Sequence, residues 1–462
     1  MILPSTYGSS NSTRLLAGLG VAAAALAVQQ LLARRRRQQR SAELAADYTK
    51  LALLPSERSP VICMSPAMST VTFFRGSLAA AEKHLAERVA AIVGANPWLA
   101  SVLEIDAETG QMEAYYPKPG RKPQQKFFAV RKDVQLSREG ESATSYGAMV
   151  HALAPVLCKP STESVGTGAP LFSVALLPDP ASPNRYAVAV SANHSLLDGH
   201  GFYAVSNMLD EAAEVRALRP ERTQAFPARM LEATGGEASL MSQCPPGFLG
   251  RFIFGQLRAA IFPQTEALAF ELSAEWVAAQ KAAAAAGGEV PWVSTNDCVV
   301  SAFCNCLHPD TALMAANFRG RVEGCGDADV GNYEELIGYM RGDYERPALL
   351  RRSVAEAPYR RAGEPATAML SNWQHFCGGA TYGAITNWST FARPLSLGGG
   401  SEQELHLPLF DWAKACPACV FGSLVIFQAA AGRVAAMVAG KQELIDAVRA
   451  SGMVGKQLDI AM

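Results

Sequence analysis

The chain has 462 residues, of which 49% are hydrophobic and 18% charged, and its formal net charge is −1. This composition excludes a disordered chain, and it lacks the basic excess that is typical of nucleic-acid-binding proteins. The length exceeds what one hydrophobic core usually organises, so the sequence predicts two domains.

The N-terminal segment contains an uncharged run over residues 15–33, followed at once by four arginines at 34–37. A helix of this length can span a bilayer, and arginines on its C-terminal side would hold the remaining chain in the cytosol. Residues 1–44 are therefore predicted to be a membrane anchor, a single helix outside the folded domains. The alternative is a cleaved transit peptide for a plastid or mitochondrion, because no acidic residue precedes Glu43 and hydroxyl residues are plentiful near the start.

Elements of a first α/β domain, assigned to residues 45–225, follow this segment. Apolar residues at helical spacing predict a helix over 78–93, and the stretch WLASVLEI after it predicts a strand. A further helix is predicted over 143–158. Two strands are predicted at 170–177 and 185–192, because the turn residues DPASPN lie between two apolar runs.

The second half repeats this alternation of strands and helices. Residues 226–265 are rich in Pro, Gly and Arg and predict a crossover linker. A strand at 267–272, a helix over 272–288 that ends at a glycine pair, and a capped helix within 293–307 follow it. They predict a second domain over residues 266–462. The fold class is therefore α/β, with a mixed sheet and flanking helices in each domain.

The ten cysteines do not predict a metal site. CPAC at 416–419 has the spacing of a metal or redox motif, but no second such pair and no nearby histidine pair completes a zinc set. The residues that follow it, VFGSLVIF, predict a strand rather than the helix of a thioredoxin-like motif. We interpret the cysteines as reduced thiols.

The nonapeptide NHSLLDGHG, residues 193–201, lies between the strand at 185–192 and a helix predicted over 202–218. A histidine in this place can take a proton from a hydroxyl or amine, since its ordinary pKa is about 6.5. An aspartate four residues later can lock the backbone, and Gly199 allows backbone geometry closed to other residues. The same residues also fit an ordinary polar turn, so this pattern alone leaves both interpretations open.

Five stretches together resemble a known superfamily. AVSANHSLLDGHGFY resembles the HxxxDG loop of the CoA-dependent acyltransferases, which include chloramphenicol acetyltransferase, peptide-synthetase condensation domains and BAHD acyltransferases. Four further stretches resemble BAHD motifs in the family's order, namely PWVSTNDCVVSAF (291–303), NFRGRVEGCGDADVGNY (317–333), TYGAITNWSTF (381–391) and FDWAKACP (410–417). The last stretch departs from the family's DFGWGKP motif, because only the aspartate and one following aromatic residue remain. Asn193 stands where some relatives have a first histidine, so the chain is described as BAHD-like.

The resemblance implies two similar chloramphenicol-acetyltransferase-like domains with an active-site channel at their interface. It implies an acyltransferase that moves an acyl group from acyl-CoA to a hydroxyl or amine of a small acceptor. A membrane anchor would favour a lipophilic acceptor. Acyl-CoA is then a co-substrate, no separate cofactor or nucleic acid is needed, and a monomer is expected. The alternative is a non-catalytic condensation-like scaffold or binding module of the same fold.

The resemblance also implies roles for residues of the HxxxDG loop. His194 would be the general base that deprotonates the acceptor. Asp198 would turn away from the cleft and brace the loop with Gly199, pairing with Arg319 as first choice or Arg321 as second. The neighbouring His200 has no role in the family pattern.

Three residues of the second half complete the predicted site. Thr386 and Trp388 alternate along a strand, so their side chains share one face and could donate hydrogen bonds to an oxyanion or to substrate. The alternative is a buried Trp388 beside a solvated Thr386. Asp411 belongs to the structural motif that the family links to CoA.

Overall fold

The fold is described from a computed structural model of the chain. The structure describes residues 43–123, 125–137, 144–236, 246–261, 265–362, 370–411 and 421–458. The predicted anchor at 15–33 and the CPAC stretch at 416–419 lie outside these residues. Within the described ranges, no helix combines the length and the hydropathy that a membrane span requires.

The strands of the described residues form three sheets. In chain order they are β1 (Tyr48–Leu51), β2 (Met68–Arg75), β3 (Val102–Ile105), β4 (Met112–Pro117), β5 (Phe128–Val130), β6 (Phe172–Pro178), β7 (Arg185–Ala192), β8 (Glu266–Leu272), β9 (Thr311–Asn317), β10 (Glu334–Tyr339), β11 (Tyr382–Asn387), β12 (Glu402–Pro408), β13 (Phe421–Ala430), β14 (Arg433–Gly440) and β15 (Val454–Gln457).

The helices lie between and around these strands. They are α1 (Pro60–Met64), α2 (Leu78–Ala95), α3 (Tyr146–Leu153), α4 (Ser161–Ser164), α5 (Gly199–Ser206), α6 (Phe226–Ala233), α7 (Pro246–Ile261), α8 (Ala274–Gly287), α9 (Thr295–Leu307), α10 (Arg341–Tyr344), α11 (Pro347–Ala355), α12 (Asn372–Phe376) and α13 (Gln442–Ala450). Short 3-10 turns occur at Ser56–Arg58, Pro97–Ala100 and Asn207–Leu209.

The first half is built on a five-stranded mixed sheet with the order β12-β2-β7-β6-β5. One face of this sheet packs against α2, whose buried residues Leu85, Val89 and Ile92 recur at helical spacing. A small antiparallel sheet, β1-β4-β3, lies in the same half. The predicted helix over 78–93 and the strands at 170–177 and 185–192 are confirmed as α2, β6 and β7.

The second half is built on a seven-stranded mixed sheet with the order β10-β9-β11-β13-β14-β8-β15. Its core contains Val299, Val300 and Phe303 of α9 and Leu444 and Val448 of α13. The helix α9 begins with a capping box, in which Ser294 accepts from the Asp297 N–H and the Asp297 carboxylate accepts from the Ser294 N–H. The two halves are thus each an α/β layer structure, as the sequence predicts.

Strand β12 connects the two halves, because it lies late in the chain yet pairs antiparallel with β2 in the first sheet. His406 of β12 holds this position through hydrogen bonds to Thr72 of β2 at 2.7 Å and to Tyr203 of α5 at 2.8 Å. A shared apolar cluster joins the two sheets, with side chains from β2, β7, β8, β12, β13 and β14. The region assigned to the second domain therefore contributes a strand to the first sheet, and the domain boundaries themselves stay a prediction.

Four predicted elements differ from the structure. The strand predicted from WLASVLEI is confirmed only over Val102–Ile105, because Pro97–Ala100 form a 3-10 turn, and the helix predicted over 143–158 is confirmed only over Tyr146–Leu153. The helix predicted over 202–218 is wrong in extent, since α5 ends at Ser206 and a 3-10 turn ends at Leu209. The reason is tertiary: Arg88 of α2 donates to the carbonyls of Met208, Asp210 and Ala213, which a continued helix would use internally. The predicted linker over 226–265 is not irregular throughout, because it contains α6 and α7.

Candidate active site

The loop that follows β7 is fixed by the side chain of Asn193, the first residue after the strand. Asn193 is fully buried and donates to the Lys159 carbonyl at 2.9 Å. Its amide oxygen accepts from the Ser195 N–H at 2.9 Å and from the Ser161 hydroxyl at 2.8 Å. These bonds turn the chain out of the sheet at residue 193 and so present the next residue, His194, beyond the strand end.

Asp198 is the N-cap of helix α5 and forms a buried ion pair with Arg319. The pair is bidentate, with Arg319 Nη1 2.6 Å from Asp198 Oδ2 and Nη2 3.1 Å from Oδ1. The carboxylate also accepts from the N–H groups of Gly201 and Tyr333, at 2.8 and 3.0 Å. Asp198 thus joins the loop to the second half of the chain, and all its bonds in the described residues are structural.

A second buried ion pair, which the sequence analysis did not identify, lies beside the same loop. Glu57 and Arg222 are both completely buried, and Arg222 Nε lies 3.1 Å from each carboxylate oxygen. Arg222 also donates to the Leu196 carbonyl at 2.8 Å, so this pair holds the loop backbone. Because the two residues are 165 positions apart and belong to none of the recognised motifs, the sequence contains no local signal for the contact.

Gly331 and Asn332 lie between the two ion pairs. The Gly331 carbonyl accepts from Arg319 at 3.0 Å, and a Cβ on this glycine would lie 3.0 Å from both Arg222 and Glu57. Gly331 also has a φ of 134°, which favours glycine. The Asn332 N–H donates to Glu57 at 2.8 Å, while its side-chain amide donates to the His194 carbonyl at 2.8 Å. The Gly-Asn pair of the family-like motif is therefore the physical link between both ion pairs and His194.

His194 lines a cavity of about 280 Å³ that lies between the two halves. The imidazole is partly exposed to this cavity, and its Nδ1 is buried with no hydrogen-bond partner among the described residues. Burial lowers the pKa of His194 below its ordinary value, and the nearby Asp198 charge opposes this shift. The imidazole is therefore neutral at physiological pH and can accept a proton.

The floor of the cavity is one face of the seven-stranded sheet. Alternate residues of neighbouring strands line it, as the two-residue period of a strand requires: Glu334 and Leu336 of β10, Leu313 and Ala315 of β9, Ala384 and Thr386 of β11, and Ser423 and Val425 of β13. The opposite wall comes from the first half and includes Ser59, Ile62 and Met68. Most of these lining residues are apolar.

Thr386 and Trp388 both line the cavity that contains His194. Trp388 is buried, at 4% exposure, and packs in the first hydrophobic core against Tyr203 and Phe410. Thr386 is partly exposed, and no hydrogen bond from a described residue reaches its hydroxyl group. The structure thus combines features of both sequence interpretations, a packed indole and a hydroxyl that faces open space.

Gly199 is required for a reason other than the predicted one. Its backbone is not in the left-handed region but begins helix α5, so the expectation of special backbone geometry is wrong. A Cβ at this position would lie 3.1 Å from Trp388 Nε1 and 3.2 Å from Cδ1. Gly199 is therefore a close-packing position that lets the indole of the second half lie against the start of α5.

The other residues considered in the sequence analysis, Arg321, His200 and Asp411, do not line the cavity of His194. Arg321 stacks over the Tyr359 ring at 4.9 Å, so Arg319 is the arginine that pairs with Asp198. His200 lies in a second, more polar cavity of about 750 Å³ that adjoins the other side chains of α5. Asp411 is the last described residue before the gap at 412–420, and its neighbour Phe410 lines the cavity of His194. The rest of the DWAKA stretch lies outside the described residues.

Glu334 is a further polar residue of the cavity that the sequence analysis did not select. It begins β10, two residues after Asn332, and it is partly buried. Burial and the charge of Asp198 raise the pKa of Glu334 to about 8, and Arg319 opposes the shift. The sequence signal was weak, because a glutamate pair after a Gly-Asn-Tyr stretch resembles any exposed strand end.

The sequence matches no profile of a known family and no curated relative. Solved structures do share the fold. TRI101 of F. graminearum, complexed with coenzyme A and T-2 mycotoxin, superposes with a TM-score of 0.56 at 13% identity, over 87% of this chain and 97% of that one. The first condensation domain of the calcium-dependent antibiotic synthetase gives 0.53 at 13% identity, over 88% and 98%. Polyketide synthase associated protein 5 from Mycobacterium tuberculosis gives 0.52 at 14% identity, over 87% and 96%.

These likenesses confirm the predicted fold class. The chain shares the mixed α/β fold of these solved structures, and the overlap extends over nearly the whole length of each of them. At 13–14% identity the comparison shows the fold alone. Function must therefore be argued from the site.

Proposed function

We propose that this protein is an acyl-CoA-dependent acyltransferase in which His194 is the general base. The observation that carries the proposal is the placement of His194: its imidazole lines a cavity between the two halves, while its loop is held by two buried ion pairs. An ordinary polar turn would not need such support. The fold, shared with CoA-bound TRI101, favours the same reaction class.

The proposed reaction is a direct transfer between two bound substrates. The acceptor oxygen or nitrogen attacks the thioester carbonyl carbon of acyl-CoA while His194 takes the acceptor proton. A tetrahedral oxyanion forms, the carbon–sulfur bond then breaks, and the proton on His194 passes to the leaving thiolate of CoA. The products are the ester or amide and free CoA, and the imidazole returns to its neutral state.

The oxyanion needs hydrogen-bond donors that face the cavity. Thr386 is the better candidate, because its hydroxyl has no partner among the described residues and lines the same cavity as His194. Trp388 is more constrained, since its indole nitrogen lies against Gly199. We therefore assign Thr386 as the oxyanion donor and Trp388 mainly to positioning the start of α5.

Donor and acceptor must both reach His194. His194 lines the largely apolar cavity and not the polar cavity beside α5, so we place the reacting groups of both substrates in the apolar cavity. The apolar lining favours an acceptor or acyl chain with a hydrocarbon body. The BAHD-like motifs favour that branch of the superfamily, although the DFGWG position is altered.

The test is release of free CoA thiol by the purified chain. A panel of short-, medium- and long-chain acyl-CoAs is offered with and without alcohols and amines, and the thiol is measured with a chromogenic reagent. We expect acceptor-dependent thiol release by the wild-type protein, loss of it in His194→Ala, and retention in His151→Ala, an exposed histidine of α3. Acyl-CoA binding without thiol release under any acceptor would favour the non-catalytic scaffold.

A further inference from the structure

Two carboxyl groups line the cavity of His194, those of Glu334 and Glu335, and the proposed reaction uses the chemistry of neither. Glu334 lies on the cavity floor, on the same face of β10 as Leu336 and opposite Asn317 of β9. No hydrogen bond from a described residue reaches the carboxyl group of Glu334. Burying a carboxylate without a partner is costly, so such a group in a cavity normally serves a ligand.

The surroundings of Glu334 indicate which ligand group would pair with its carboxylate. Among the described residues that line the cavity, none is a lysine or an arginine. Arg319 is close enough to act on Glu334 electrostatically, but its guanidinium donates to Asp198, Asn317 and the carbonyls of Asp329 and Gly331. The cavity thus presents an acidic group on apolar walls and lacks a counter-charge of its own.

We propose that Glu334 binds a cationic amine on the acceptor, so that the acceptor is an amphiphilic molecule with an apolar body and a protonated amino group. This inference rests on the proposed acyltransferase function, whose substrate class it names. The ammonium would donate charge-assisted hydrogen bonds to the carboxylate, while the hydrocarbon part packs on Leu313, Leu336 and Val425. Glu334 is then a specificity-determining residue, distinct from the base.

The charge state of the cavity gives the inference a pH signature. Without a ligand, burial and the charges of Asp198 and Glu335 keep Glu334 protonated near neutrality, against the opposing charge of Arg319. His194 shares the cavity, but burial lowers its pKa, so it stays neutral in the same range. A cation binds the ionised carboxylate, and therefore its affinity should rise as the pH rises through the pKa of Glu334, about 8.

The experiment compares two probes of equal length, n-octylammonium and 1-octanol, by titration calorimetry on the whole chain. We expect the wild-type protein to bind the ammonium at least about tenfold more tightly at pH 9 than at pH 6.5, and octanol equally at both. Glu334→Gln should weaken ammonium binding by about tenfold or more and change octanol binding by less than about twofold. Glu335→Gln is the matched control, because that carboxylate already accepts from the Leu336 N–H at 2.9 Å.

Each other outcome overturns the inference. Equal affinity for both probes in the wild type would mean that the carboxyl does not select a cation. An equal loss of affinity for both probes in Glu334→Gln would mean that the residue only shapes the cavity. An equal loss of ammonium affinity in Glu335→Gln would mean that Glu334 is not the carboxylate that selects the cation. Binding is read without turnover, so these results stay separate from thiol release, which tests acyl transfer on its own.

Discussion

The two ion pairs beside the loop differ in the part of it that they hold. Asp198 belongs to the loop and bonds through its own side chain, so the pair with Arg319 fixes where the loop ends and α5 begins. Glu57 and Arg222 lie outside the loop and bond to its backbone, directly at Leu196 and through Asn332 at His194. One pair orients the helix, and the other positions the backbone carbonyls of His194 and Leu196.

This division has an energetic consequence. A buried pair loses hydration, and its own attraction compensates only where further hydrogen bonds satisfy the remaining atoms. Both pairs meet that condition, since Asp198 has two N–H donors besides Arg319, and Arg222 donates to two carbonyls besides Glu57. Their net gain in stability is modest, but the removal of one partner leaves an uncompensated buried charge.

The largest expected effect concerns the residue that both pairs support. His194→Ala should lower acceptor-dependent thiol release by about 10²–10⁴-fold, because general-base catalysis contributes that much. The melting temperature should change little, since the imidazole lines a cavity rather than filling a core. Circular dichroism and the thiol assay together check both parts, and near-wild-type turnover would contradict the assignment of the base.

The pH dependence of the reaction gives a second test of His194. The base must be neutral, and burial lowers its pKa, so activity should be full near neutral pH and fall only in acid. We expect the midpoint of kcat/KM below about pH 6.5, the ordinary histidine value. The profile is best measured in Glu334→Gln, which removes the cavity carboxyl whose pKa burial raises to about 8. A midpoint above the ordinary value would show that the acting group is a different one.

Asp198→Asn should break the first pair and reduce both stability and activity. The change leaves the buried Arg319 without its counter-charge, and the expected loss is about 3–5 kcal/mol in the free energy of unfolding. Chemical denaturation measures this loss, with the exposed Asp133→Asn as the matched control. If activity falls while the unfolding free energy is unchanged, then the carboxylate acts in the chemistry instead of bracing the loop.

The same contrast explains how far the sequence could predict this site. Asp198 and Arg319 lie in stretches with family-like patterns, so their contact could be expected from the resemblance. Glu57 and Arg222 lie in stretches without such a pattern, and only the tertiary fold brings them together. The alternation of helices and strands predicted the α/β fold class, whereas the early end of α5 depended on Arg88 of a distant helix. Local periodicity does not report such side-chain competition for carbonyl groups.

Arg222→Lys should weaken the second pair without removing its charge. A lysine cannot reach Glu57, Leu196 and Pro220 at once as the guanidinium does, so we expect a loss of about 1–3 kcal/mol in stability. Activity should fall less than in Asp198→Asn, because the N-cap of α5 stays intact. Arg219→Lys is the matched control. The Arg219 side chain is 64% exposed, so its ion pair with Asp329 should contribute less than about 1 kcal/mol to the free energy of unfolding. A larger activity loss than in Asp198→Asn would reverse the proposed division between the two pairs.

The smallest expected effect is that of Asn332→Ala, which removes the side-chain contact between the second ion pair and the His194 backbone. The variant keeps the backbone N–H that donates to Glu57 but loses the side-chain amide, which donates to the His194 carbonyl and, at 3.4 Å, to Glu57. It also removes the Asn332 amide oxygen, which is buried without a partner among the described residues, so the two changes in stability oppose each other. We expect an almost unchanged melting temperature and a decrease in kcat/KM of roughly two- to tenfold, since one neutral hydrogen bond contributes about 0.5–1.5 kcal/mol. A loss as large as that of His194→Ala would instead mean that the amide contacts the reacting atoms, and Asn332 would then join Thr386 as a donor to the oxyanion.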